Sequence, residues 1–284
     1  MQVDHYSSSL NIIYRDNSYD KLAGRIIEFF WANKNIEGYE FELIKADKSE
    51  VYKLHTPNAV YYVKYYQAQK FSKKIKNLVR KPAAARHFYT ANKLLASSIS
   101  TAEPILSIVK DKNLLLKESL FVTREIQGIN LYEHAKSQPE IDTRRIIIKK
   151  LAKLWAKLIN NNFWHKDPRL FNIMLQEDGQ SLELILVDID NIYSLPIFPH
   201  RLVIKNLTKL SADMLKDVIT SDIKSLTPQE RILFFAEFTN YYERDVNLKQ
   251  FINRVNDRVI KRLRKKNYRK VIDKDPHFSD YFGN

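Results

Sequence analysis

The sequence predicts an α+β protein of two lobes, a small β-rich one over residues 1–124 and a larger helical one over 125–284. Three observations carry that expectation. The strongest β segment, residues 59–66, lies early in the chain and is built from Val and Tyr around one Lys. After Gly128 the apolar spacing turns mostly helical. Strand patterns precede the helices and do not alternate with them, which suits α+β better than a doubly wound sheet.

Taken in order, residues 21–32 carry Leu22, Ile26, Phe29 and Phe30 at helical spacing. Residues 40–45 and 50–54 read as strands joined by Ala46-Asp47-Lys48-Ser49, and 59–66 as the third strand. A helix over 83–96 starts after Pro82. Residues 114–116 and 120–123 suggest a hairpin turning at Lys117-Glu118-Ser119. Residues 143–161 form a long amphipathic helix with Ile147, Leu151, Leu154 and Leu158 on its apolar face. Residues 171–176 and 182–187 suggest a second hairpin across Asp178-Gly179, and helices including 228–242 and 247–270 fill the remainder. There is no repeat, and the 5 Gly and 9 Pro mark no linker.

Cysteine is absent, which excludes disulfides, Cys-ligated metals and a thiol nucleophile, and fits a reducing compartment. No apolar run approaches the roughly 20 residues that span a bilayer. The N-terminus has neither the basic nor the apolar region of a signal peptide. The expected location is the cytoplasm or its membrane face. A net charge of +14 favours an anionic partner: nucleic acid, anionic lipid, nucleotide or phosphorylated glycan. A solvated Lys-rich surface accounts equally well for any one basic cluster.

The chemistry concentrates in His165-Lys166-Asp167-Pro168-Arg169-Leu170-Phe171-Asn172, an H-x-D-x4-N spacing, and in Val187-Asp188-Ile189-Asp190 at the end of an apolar run. Protein kinases use such a set for phosphoryl transfer, with one Asp beside the attacking hydroxyl and an Asn and a second Asp on magnesium. Asp167 is the candidate base; Asp before Pro also starts ordinary turns. Asn172 and Asp188 supply the hard oxygens that Mg²⁺ requires. Arg169 is placed to offset charge on a transferred phosphoryl group, or is an exposed loop residue. His165 reads as a residue that holds the loop. Asp190 stands where most kinases carry Gly after the metal-binding Asp, and bracing of the loop is its first reading. Lys64, near the end of the third strand, has the order and distance of the Lys that grips nucleotide phosphates. The stretch 123–128, through Glu125 and ending at Gly128, suits the connector where adenine bonds to backbone groups, and suits an ordinary strand-to-helix turn as well.

These residues together resemble the Kdo/WaaP family of lipopolysaccharide kinases, a branch of the protein-kinase-like fold. Phe163 through Leu175 is similar to the family's catalytic loop, and Val187-Asp188-Ile189-Asp190 to its D-x-D metal motif. Arg201 with Lys205-Asn206-Leu207-Thr208-Lys209-Leu210 resembles its basic, Leu-containing segment, and Ala85-Arg86-His87-Phe88 through Pro104-Ile105 the helix and turn of its small lobe. The resemblance covers roughly residues 40–240. It implies a protein-kinase-like two-lobe fold and ATP- and Mg²⁺-dependent phosphorylation of a heptose or Kdo hydroxyl of the lipopolysaccharide inner core, at the inner face of the inner membrane. Two departures stand out. The 46–49 turn has no Gly, so Lys48 and Ser49 are its candidates for phosphate contact. His87 stands where the resemblance places the Glu that pairs with Lys64, and Glu103 is the nearest acid in that segment.

Two basic segments remain, 70–81 and 258–270. In the second, Phe251, Ile252, Val255, Val259 and Leu263 continue one apolar stripe, which gives a basic amphipathic helix. Docking of the stripe on the large lobe is the first reading, with the cations in water or on an anionic membrane. No RRM-like or zinc pattern organises the aromatics for nucleic acid. The expected function is a lipopolysaccharide core kinase. The alternatives are a small-molecule phosphotransferase of the aminoglycoside or choline kind and a non-catalytic or weakly catalytic kinase-like binding module.

Overall fold

The computed structural model describes residues 2–7, 10–47, 49–67, 81–113, 116–179, 181–220, 223 and 226–265. The chain forms two compact units, Met1–Ala96 with Thr101–Ile126, and Ser97–Ser100 with Gln127–Asn284.

The first unit is an antiparallel sheet in the order β1-β2-β6-β7-β5-β4-β3. Its strands are β1 (Gln2–Ser7), β2 (Leu10–Tyr14), β3 (Glu40–Ala46), β4 (Glu50–His55), β5 (Val60–Tyr66), β6 (Pro104–Asn113) and β7 (Leu116–Arg124). Alternation along β5 sends Tyr61 and Val63 into a core with Ile12, Leu54, Ile108 and Val122. Helix α1 (Asp20–Ala32) covers that core with Leu22, Ala23 and Ile26, and ends at Asn33 in a left-handed conformation (φ 51°). Phe29 stacks on Phe41 at 3.8 Å, extending the same layer. Lys64 and Tyr66 alternate to the other face, where Tyr66 meets His87 of α2 (Ala83–Ala96). Burial of Ala84, His87, Phe88, Ala91 and Leu94 gives α2 its inward face.

The first hairpin differs from its expected form. Lys117, Glu118 and Ser119 lie within β7, opposite Asp111, Lys110 and Val109, and do not turn. A polar triplet imitates a turn, but these groups are satisfied inside the sheet. Glu118 is 7% exposed and accepts the Trp31 indole N–H at 2.9 Å. Strands β1 and β2 lie in a region where the sequence suggested none.

The second unit begins with β8 (Ile129–Asn130), α3 (Leu131–Lys136) and α4 (Ile141–Asn160). Next come β9 (Phe163–His165), β10 (Ile173–Asp178), β11 (Ser181–Leu186) and β12 (Ile192–Ser194). It ends in α5 (His200–Thr220), α6 (Pro228–Tyr241) and α7 (Leu248–Lys265). The strands form two small sheets, β11-β10-β8 and β12-β9. Leu151, Leu154, Trp155 and Leu158 bury one side of α4. Helix α6 opens with a capping box between Thr227 and Glu230, with Pro228 in its first turn. Glu230 also takes Arg144 of α4 at 2.7 Å, a pair with little exposure on either side. The α7 stripe of Phe251, Val255, Val259 and Leu263 is buried, while Arg254, Arg258, Lys261 and Arg264 are exposed. Residues 70–80 and 266–270 of the two basic segments lie outside the described residues. Among the described residues no helix is long and apolar enough to cross a membrane.

Candidate active site

Backbone bonds join the two motifs. Helix α4 ends at Asn160, and Asn162 turns the chain with φ at 60° into β9. β9 pairs with β12, placing His165 opposite Ile192. The loop 166–169 follows, then a 3₁₀ turn at Leu170–Asn172, pinned by buried Leu170. The β10–β11 hairpin returns the chain beside that turn, where Val187 N–H donates to the Asn172 carbonyl at 3.0 Å. Lys166 N–H donates to Asn191 at 2.7 Å. The H-x-D-x4-N and D-x-D segments are thereby adjacent, although Val187 lies 15 positions after Asn172.

His165 is 1% exposed and lies parallel to the Trp155 ring at 5.8 Å. Its Nδ1 accepts the Asp167 backbone N–H at 3.3 Å, which places a neutral ring's proton on Nε2. Burial pushes its pKa down to about 4; the Asp167 charge opposes this and Lys209 adds to it. The ring is therefore neutral at pH 7 and shapes the loop. Asn206 of α5 accepts from the Trp155 indole and donates to the His165 carbonyl, both at 2.8 Å.

Asp167 meets two cations. Lys209 Nζ is 2.6 Å from Oδ1, and Arg169 Nε is 3.4 Å from Oδ2. Burial pushes the carboxyl pKa up, but the Lys209 hydrogen bond and the charges of Lys209 and Arg169 outweigh it, leaving it below the ordinary value. Asp167 is thus ionised at neutral pH, as hydrogen bonding to an incoming hydroxyl requires. Lys209 also lies 3.3 Å from Asp213, which Arg262 of α7 approaches at 3.8 Å. The sequence reading gave Lys209 no role. Its signal was present: Asn206, Lys209 and Asp213 repeat at i, i+3 and i+7 on a helix whose Val203, Leu207 and Leu210 are buried.

Asn172 donates its side-chain amide to the Asp167 carbonyl at 3.3 Å. Asp188 precedes a 3₁₀ turn at Ile189–Asn191 but does not cap it with its side chain. Asp190 lies in that turn. An amide oxygen and a carboxylate on adjoining segments suit Mg²⁺, which takes one or two protein carboxylates and completes its shell with phosphate and water. Among the described residues no group of three or more His, Cys, Asp or Glu is placed to hold a metal ion.

The remaining candidates belong to the first unit. Lys64 is paired in register with Val51 and Phe121, and its Nζ lies 5.7 Å from the Tyr66 ring centre. Tyr66 and His87 are joined at 2.8 Å through the phenol oxygen and Nδ1. Glu103 is engaged by Arg15 at 2.7 Å and Arg124 at 2.9 Å. Glu125 pairs with Lys53 at 2.9 Å, and its backbone N–H donates to Val60 at 3.0 Å. The Ser49 carbonyl accepts from Asp47 N–H and closes the β3–β4 turn, while Lys48 lies outside the described residues. The second unit also holds an apolar cavity of about 120 Å³, lined by residues including Leu131, Ile148, Leu170, Leu210 and Phe234.

A search of curated protein sequences finds no match. A family model described as "Lipopolysaccharide kinase (Kdo/WaaP) family" matches residues 25–230. Among solved structures, "WaaP in complex with acyl carrier protein" is similar with a TM-score of 0.65 at 14% identity, covering 92% of this chain and 98% of that one. The PknI kinase domain of Mycobacterium tuberculosis gives a TM-score of 0.43 at 13% identity, over 80% and 97% of the two chains. The likeness to WaaP establishes the fold: a β-sheet N-terminal region followed by a helical part, with kinase-like architecture.

Proposed function

The chain belongs to the lipopolysaccharide kinase (Kdo/WaaP) family, and on that premise we propose that it transfers the γ-phosphoryl group of ATP to a heptose or Kdo hydroxyl of the lipopolysaccharide inner core. The observation that carries the reading is the backbone bond from Val187 to Asn172, which sets the candidate metal ligands Asn172 and Asp188 beside the loop bearing Asp167.

In this reading the Asp167 carboxylate accepts a hydrogen bond from the sugar hydroxyl, turns its oxygen towards the γ-phosphorus and takes the proton. The sugar O–P bond forms as the bond to the ADP oxygen breaks. Lys64 binds the nucleotide phosphates, and Lys48 and Ser49 are the further candidates for phosphate contact. Glu125 lies in the adenine connector, where its carbonyl is the contact to test because its N–H already serves Val60. Arg169 offsets charge on the transferred group. Asn172 and Asp188 hold Mg²⁺, which when bound neutralises phosphate charge.

A weakly catalytic, kinase-like binding module is the second reading, favoured by His87 serving Tyr66 where an acid was expected and by a 46–49 turn without Gly. Acyl carrier protein, the companion in the WaaP structure, is a candidate protein partner. The exposed cations of α7 suit the anionic inner face of a membrane, each adding about 1 kcal/mol near the surface.

The deciding experiment follows ³²P from γ-labelled ATP into deacylated core glycan, with and without Mg²⁺. Mg²⁺-dependent incorporation that is lost in Asp167→Ala supports the core kinase. Transfer only to free small acceptors selects a phosphotransferase of the aminoglycoside or choline kind. Absence of Mg·ATP binding by calorimetry selects the binding module.

A further inference from the structure

We infer that Lys209 is a positioning residue of this site, fixing the Asp167 carboxylate through a charge-assisted bond while Asp213, one helical turn on, fixes Lys209. The inference rests on Asp167 being the group that receives the sugar hydroxyl.

The geometry is that of one ammonium shared by two carboxylates. Lys209 Nζ lies 2.6 Å from Asp167 Oδ1 and 3.3 Å from Asp213 Oδ2, and the Lys209 side chain is 23% exposed. A free Lys side chain samples many rotamers; one held at both ends does not, so the entropy of ordering it is met before substrate arrives. The 2.6 Å separation is at the short end for an ammonium–carboxylate bond. Lys209 occupies one oxygen of Asp167, and Arg169 approaches the other at 3.4 Å from a side chain that is 55% exposed. The two cations differ in anchorage. Arg169 has solvent around it and can leave for a phosphate. Lys209 is braced from behind by Asp213, which in turn has Arg262 of α7 at 3.8 Å. Asn206, three residues before Lys209, binds the His165 carbonyl, so one face of α5 grips the loop at two points.

This assigns the two cations different work: Lys209 aims the base, and Arg169 is the one available to the transferred group. Lys209→Met should lower kcat for phosphate transfer by about 10²-fold, the size of effect seen when a reacting group is misplaced. The KM for ATP should stay where it is, and Lys209→Arg should recover most of the loss. Against the residual transfer of Asp167→Asn, measured at high enzyme concentration, Lys209→Met should cost nothing more, because residues that act as a unit are not additive. A Lys209 that merely stabilised the fold would lower activity by the same factor in both backgrounds, and a Lys209 that bound phosphate would raise the KM for ATP; either result overturns the inference. A urea-unfolding cycle over Asp167→Asn and Lys209→Met needs no activity. Additive midpoint shifts there would show that the two side chains are not coupled, whatever becomes of the kinase reading.

Discussion

Tyr66 and His87 are joined by a 2.8 Å hydrogen bond beneath Lys64, at the position where the family resemblance places an acid. The imidazole cannot act as a carboxylate would, and its Nδ1 is committed to the phenol. Lys64 has an aromatic face 5.7 Å away, a contact worth about 0.5–1 kcal/mol at exposed sites. Tyr66→Phe should therefore cost about 1 kcal/mol of stability in urea unfolding, from the lost hydrogen bond. It should leave Mg·ATP affinity unchanged by calorimetry, because the ring remains. Tyr66→Ala should lower both.

Asn206 holds two buried groups, the Trp155 indole N–H and the His165 carbonyl. Neither has water to fall back on. Asn206→Leu should cost about 2–6 kcal/mol, since each of the two buried groups left without a partner costs about 1–3 kcal/mol. Urea midpoints measure this. The conservative Asn206→Asp should also destabilise, because it keeps the acceptor for Trp155 but turns a donor into a second acceptor facing a carbonyl.

The His165 pKa fixes a pH window. The ring takes a proton near 6.5 when the chain is unfolded and only near 4 when folded. Between those values the unfolded state binds more protons, so the contribution is fully present above about pH 6.5 and is lost as pH falls towards 4. A drop from 6.5 to about 4 corresponds to about 3.5 kcal/mol as an order of magnitude. His165→Asn stays neutral throughout and keeps an acceptor for Asp167 N–H. Its stability curve should be flatter than wild type from pH 6.5 to 4, and identical slopes would show that His165 protonates readily in the fold.

Local patterns were legible in the sequence wherever one period dominated. The expected helix 83–96 coincides with α2, and the expected strands 40–45, 50–54 and 59–66 lie within a residue of β3, β4 and β5. The H-x-D-x4-N and D-x-D segments stood out in the sequence by their spacing, and the structure brings the two segments together. What was not legible depended on contacts distant in sequence. Glu118 looked like a turn residue because nothing local reveals that the Trp31 indole, 87 positions away, donates to it. Lys209 looked like one Lys in a basic segment because its partner Asp167 lies 42 residues earlier. A helical-face reading of 203–213 would have separated it from the solvated lysines, since a cation in register with a buried Asn is not on the outer face.

Gly128 sets how closely β8 approaches β10. Its φ is 146°, and a Cβ added there would lie 2.2 Å from the Leu175 carbonyl oxygen, backbone that cannot step aside. β8 pairs with β10 through Ile129 with Leu175 and Asn130 with Met174. Asn130 also caps α3 by accepting Glu133 N–H at 3.0 Å. Displacing one residue thus strains a strand pair and a helix cap on the sheet that begins one residue after Asn172. Gly128→Ala should cost about 1–3 kcal/mol through overpacking, in addition to its backbone strain. Gly179 is the control. It too has positive φ, at 57°, but an added Cβ would meet nothing within 4 Å, so Gly179→Ala should cost only the left-handed backbone term of about 1–2 kcal/mol. Urea midpoints of the two variants should fall in that order, and phosphate transfer measured where both are folded should drop in Gly128→Ala alone. Equal midpoints would mean that the β8–β10 approach relaxes without cost.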